Sequence, residues 1–139
     1  MLHLLKMCVG CESIDDLAQF QADRRLRGEP NIHRTRNFPK RGAEILSGGS
    51  LYWIIKGQIR VRQRVLALDA IEVPEGGRFC VIGLDAKLVP VAPQPYRPMQ
   101  GWRYLEASDA PPDADPNRPD QSHEMPPAMI RELRSLGLL

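Results

Sequence analysis

The chain has 139 residues, 42% of them hydrophobic, with 19 Lys/Arg against 17 Asp/Glu and three cysteines, the make-up of one globular domain with a single core. No apolar run approaches the roughly 20 residues that span a bilayer, and residues 1–10 lack a basic leader followed by a long apolar stretch, so neither membrane insertion nor a signal peptide is expected. An odd cysteine count without such a leader points to reduced thiols in a cytoplasmic protein.

Residues 2–9 are apolar and mostly alternating, and read as a first strand. Ser13 with Asp16 three residues on resembles a capping box. Ile14, Leu17, Ala18 and Leu26 then fall near helical spacing, which predicts a helix over 14–27, stopped by Gly28 and Pro30. Residues 32–36 form a short extended segment. Pro39 suits a helix first turn, and Ala43, Ile45 and Leu46 behind it predict a short second helix ended by Gly48-Gly49. Residues 51–55 are continuously apolar, as in a strand buried on both faces.

After a turn or bulge at Gly57, a longer strand is predicted over 58–69, with Ile59, Val61, Val65 and Ala67 on one face and Gln63 among them. The other face changes from Gln58, Arg60, Arg62 and Arg64 to Leu66 and Leu68, which marks a barrel corner or bulge. Pro74-Glu75-Gly76-Gly77 turns this strand into a hairpin partner over 78–84. A Pro-rich connection over 90–98 leads to a last strand at 100–105. Residues 107–126 are an acidic, Pro-rich linker without apolar period. It leads to an amphipathic helix within 127–139, with Met129, Leu133 and Leu136 on one stripe. The expected fold class is α+β, with residues 1–106 as one domain. Its sheet is small and mostly antiparallel, or a partly closed barrel, with two N-terminal helices and a short C-terminal one.

Charge is distributed unevenly. Residues 1–66 hold twelve Lys/Arg and six Asp/Glu, a net of +6, while residues 67–139 hold seven against eleven, a net of −4. Between Arg34 and Arg64 there are eight basic side chains (Arg34, Arg36, Lys40, Arg41, Lys56, Arg60, Arg62, Arg64) and one acid, Glu44. Alternate residues of a strand share a face, so Arg60, Arg62 and Arg64 are expected to form a row about 7 Å apart. Such a row suits phosphates, with Tyr52 or Trp102 as stacking platforms and Trp53 in the core. The competing reading is a solvated face neutralised by acids of the C-terminal half.

Cys8-Val9-Gly10-Cys11, between a strand and a helix, has the spacing of reactive thiol pairs, although Ser13 rather than Cys11 caps the helix. His3, His33 and Cys80 offer no second pair at metal-binding spacing, so no metal is expected. No P-loop, nucleophile elbow or catalytic constellation emerges, and no cofactor is implied.

Arg36-x-x-Pro39-Lys40-Arg41, the run from Gly48 through Gly57, Arg62-Gln63 and Gln100-Gly101-Trp102-Arg103-Tyr104-Leu105 together resemble a bacterial family catalogued as domain of unknown function 1489. The resemblance covers nearly the whole chain and implies no activity. The order of elements is also similar to PUA-like barrels of the ASCH and EVE groups, which implies RNA or modified bases as ligands. The expected function is therefore nucleic-acid binding, RNA over DNA, without chemistry. A protein-interaction module that meets an acidic partner surface through the basic face and the terminal helix is the alternative. A thiol redox protein using Cys8 and Cys11 is the third reading.

Overall fold

In the computed structural model, residues 1–114 are described, and the expected terminal helix lies outside them. Nine elements follow one another: β1 (Leu2–Met7), α1 (Ile14–Leu26), β2 (Ile32–Thr35), α2 (Gly42–Leu46), β3 (Ser50–Ile55), β4 (Gln58–Glu72), β5 (Arg78–Leu84), β6 (Val89–Pro95) and β7 (Trp102–Glu106). The strands form one seven-stranded sheet in the order β2-β5-β4-β3-β1-β7, with β6 also paired to β4. β1 and β3 run parallel, and the other pairs are antiparallel. The sheet is open, with β2 and β7 at its two ends, so the partly closed barrel does not form.

α1 starts where expected. The Ser13 hydroxyl accepts from the Asp16 amide at 3.2 Å, and the Asp16 carboxylate accepts from the Glu12 amide at 2.8 Å, which satisfies two otherwise orphaned donors. Ile14, Leu17 and Gln21 face inward from it. The strands sort their side chains by parity. Leu2 and Leu4, Leu51, Trp53 and Ile55, with Cys80, Ile82 and Leu84, pack with Ile14, Leu17 and Ile45 on the helix side. Leu5, Tyr52, Ile54, Val91 and Leu105 build a smaller cluster on the opposite side. β3 is thus buried on both faces, and so reads as an unbroken apolar run.

β4 departs from simple alternation at two places. Trp53 pairs with Val61 but Ile54 with Ile59, which leaves Arg60 as a bulged residue. A second register shift falls between Val65 and Ala67, around Leu66. A bulge changes the phase of the strand. Ile59 therefore belongs with Tyr52 and Ile54, while Val61 and Val65 belong to the helix-side core. Beyond the second bulge Leu68, rather than Ala67, packs on that core. The single apolar face expected for Ile59, Val61, Val65 and Ala67 is split accordingly.

The Arg64 carbonyl accepts from Asp85 and the Val65 amide donates to Gly49, two groups of one peptide that point in opposite directions. β5 and then β6 therefore follow one another along the edge of β4 away from β3. β6 occupies the segment read as a connection. Its prolines hid it, since Pro90, Pro93 and Pro95 lack the ladder donor and strands rarely hold three of them. The free side of β6 receives residues 112–114, through Ala92 N–H to Pro112 O at 2.8 Å and Ala114 N–H to Pro90 O at 2.9 Å.

One buried polar cluster ties the helix to the sheet. Gln63, with no exposed surface, exchanges amide hydrogen bonds with Gln21 at 2.7 and 2.8 Å. It also accepts from the Trp53 indole at 2.9 Å and donates to the Asp85 carbonyl at 2.9 Å. A glutamine inside an apolar strand face is tolerable because every one of these groups is satisfied.

Candidate functional site

The structure does not present Arg60, Arg62 and Arg64 as one surface row. Arg60 lies at the bulge and is 5% exposed. Arg62 makes a two-pronged ion pair with Asp113, Nε to Oδ1 at 2.7 Å and a terminal nitrogen to Oδ2 at 2.8 Å, and donates to the Ser50 hydroxyl at 3.2 Å. Asp113 holds the Arg62 guanidinium protonated, and Arg62 holds the Asp113 carboxyl below its usual range. An acid of the C-terminal half thus covers this arginine. Arg64 is exposed.

The other expected contacts are dispersed. Tyr52 is 4% exposed, edge-on to His3 at 4.9 Å, and cannot stack on a base. Trp102 donates its indole N–H to the Asn37 carbonyl at 2.7 Å and meets Tyr104 edge-on at 4.9 Å, so it is a half-buried clamp rather than a free ring. Arg41 is engaged by Glu44 at 2.6 Å and Glu106 at 3.2 Å, and lies over the Tyr104 ring at 5.6 Å. Lys56, left-handed at φ 50° in the β3–β4 turn, is 3.8 Å from Glu12. Arg34, Arg36 and Lys40 are exposed, with no ion pair among the described residues.

A more concentrated positive site lies between α1, β1 and β2. Two cavities of about 540 and 140 Å³ share Arg24, Ile32 and His33 as lining residues. Arg34, Pro30 and Glu29 complete the larger one, and Lys6, Cys8, Phe20, Gln21 and Trp53 are among those lining the smaller. Three cations therefore line the pair. Of the lining residues only Glu29 is acidic, and it is 3.4 Å from Arg27, both half-exposed. Helical periodicity explains Arg24: it stands seven residues after Leu17 and three after Gln21, at the margin of the buried stripe. Its guanidinium donates to the Ile32 carbonyl at 3.2 Å, which holds the end of α1 against β2.

His33 sits at the junction, edge-on to the Trp53 indole at 5.1 Å. Its Nε2 is buried and has no hydrogen-bond partner among the described residues. Burial lowers its pKa to about 4, with the Lys6 and Arg24 charges adding to the effect, so the ring is neutral near pH 7. Burial also lowers the Lys6 ammonium pKa. Because the folded His33 refuses a proton that the unfolded chain accepts, stability is lost as pH falls from about 6.5 to about 4. The loss from this group is at most about 3 kcal/mol. Urea unfolding at pH 7 and pH 4.5 is expected to show a smaller pH-dependent loss for His33→Phe than for the wild type. Equal losses would remove His33 as the cause.

Lys6 and Arg24 fall outside the basic segment that the sequence brought forward, and 17 intervening residues hide their meeting. The signal was present in Lys6 within an apolar strand and in Arg24 on the Leu17–Gln21 stripe. Cys8 and Cys11 are joined as a disulfide at the end of β1, which corrects the expectation of reduced thiols, and Cys80 is a buried free thiol. Among the described residues no cluster of His, Cys, Asp and Glu could hold a metal, and no helix is long and apolar enough to cross a membrane.

A family model described as a protein of unknown function, DUF1489, matches residues 4–139. No curated protein and no solved structure matches the chain.

Proposed function

We propose, from the premise that the chain belongs to the DUF1489 family of proteins of unknown function, that it is a nucleic-acid-binding domain whose site is the groove between α1 and β2. One observation carries this reading: Lys6, Arg24 and Arg34 line adjoining cavities whose single acid, Glu29, is itself beside Arg27. Uncompensated cations around a concave surface attract a polyanion, and arginine adds a planar fork for phosphate oxygens. Phe20, 46% exposed, supplies a face for stacking. Cavities of this size take an unpaired nucleotide rather than a duplex. Unpaired bases are the usual target of sequence-specific RNA recognition, so single-stranded RNA is favoured over DNA. Arg36 and Lys40, exposed on the chain that leaves β2, extend the positive track.

The test is fluorescence anisotropy with a short single-stranded RNA at two salt concentrations. Arg24→Gln/Arg34→Gln is expected to weaken binding roughly tenfold and to flatten the salt dependence. Arg62→Gln/Arg64→Gln is expected to bind like the wild type. Equal affinities for the wild type and the groove variant, or binding indifferent to salt, would overturn the proposal. Salt-independent capture of an acidic protein would favour the interaction-module reading instead.

A further inference from the structure

The same cavity touches a group that nucleic-acid binding does not use. Gly10, at φ 82°, lets the β1–α1 turn bring Cys8 and Cys11 to a Cα separation of 5.6 Å, within the range a disulfide spans. A disulfide stabilises mainly through the loop that it closes, and a sequence separation of three is close to the smallest such loop. Its worth as a staple is therefore small. Cys8, although 9% exposed, lines the 140 Å³ cavity together with Lys6, Arg24 and His33. A sulfur reachable from a cavity walled by cations is where a thiolate arrives with its charge already compensated.

We propose that the Cys8–Cys11 disulfide is a thiol–disulfide exchange site that takes small thiols bearing a carboxylate. The substrate thiolate attacks Cys8 Sγ from the cavity, forming a mixed disulfide. The Cys8–Cys11 bond breaks, and its electron pair leaves with Cys11 Sγ, which takes a proton from solvent. A second substrate thiolate then attacks the substrate sulfur of the mixed disulfide. It releases the oxidised substrate dimer and the Cys8 thiolate, which is protonated in turn. Two substrate thiols are oxidised and one protein disulfide is reduced, by two electrons. Lys6 and Arg24 hold the substrate carboxylate, so acidic thiols are selected over cationic ones.

The exchange needs no nucleic acid, and either reading can fail while the other stands. The full chain, purified without reductant, is treated with 3-mercaptopropionate or with cysteamine at low and high salt. Loss of the disulfide is followed by thiol titration, and rates are corrected for each reagent's thiolate fraction. The expected result is reduction by 3-mercaptopropionate roughly tenfold faster than by cysteamine at low salt, the gap closing at high salt. Arg24→Gln, checked for fold by circular dichroism, is expected to narrow the gap at low salt. Equal corrected rates, a preference for cysteamine, or three free thiols in the purified protein would overturn the proposal. The salt comparison on the wild type decides the matter even if the variant does not fold.

Discussion

Replacing Gly49 by alanine is expected to destabilise the protein by about 3 kcal/mol, enough to lower its melting temperature by roughly 10 °C. The residue sits where α2 gives way to β3, with its amide donating to the Ile45 carbonyl at 2.7 Å and its own carbonyl accepting from Val65 at 3.0 Å. A methyl group there would collide with the Leu2 carbonyl oxygen and lie 2.6 Å from that of Ile45. Both obstacles are backbone, held by β1 on one side and α2 on the other, so no rotamer change relieves them. The cost is one of crowding and not of backbone freedom. Calorimetry of Gly49→Ala against Gly57→Ala separates the two causes, because Gly57 has φ 76° and a methyl group added to it would meet nothing within 4 Å. Gly57→Ala should lose about 1 kcal/mol through backbone strain alone. A Gly49→Ala protein as stable as the wild type would mean that β1 does not pass this close to α2.

Gln63→Leu is expected to cost about 3 kcal/mol although leucine fills nearly the same volume. Its removal leaves the buried Gln21 amide and Trp53 indole N–H without their partner, while the Asp85 carbonyl keeps the Asn31 side-chain amide as a donor at 3.0 Å. The double variant Gln21→Leu/Gln63→Leu removes the partner amide as well, and should be more stable than Gln63→Leu alone, leaving the Trp53 donor as the residual cost. Urea denaturation of the wild type, both single variants and the double variant gives the coupling directly. Additive losses would show that Gln21 and Gln63 do not depend on each other.

These two positions also mark how far the sequence could be read. Local signals were legible: the Ser13–Asp16 cap, the apolar run of β3 and the hairpin turn before β5 each follow from short-range chemistry, and each element formed there. The Gln63 anomaly was visible as a polar residue in an apolar face, but its partners stand 42 residues away on α1 and 10 away on β3. The arginine row failed for a different reason. Alternation fixes which residues share a face only while the register holds, and the bulge at Arg60 broke it. Three prolines suppressed the strand signal of β6. In the groove, Arg24, His33 and Arg34 meet locally across the turn between α1 and β2, but Lys6 of β1 joins them only through the tertiary fold.

Whether anions are held in the groove between α1 and β2, and not along β4, is tested most directly by amide and indole NMR shifts during titration with a short single-stranded RNA. The largest changes are expected at Lys6, Arg24, His33 and Arg34 and at the Trp53 indole N–H, with Ser50, Arg62 and Asp113 unmoved. Shifts centred on Arg62 and Arg64, or none at all up to millimolar RNA, would contradict the assignment of the groove as the anion site.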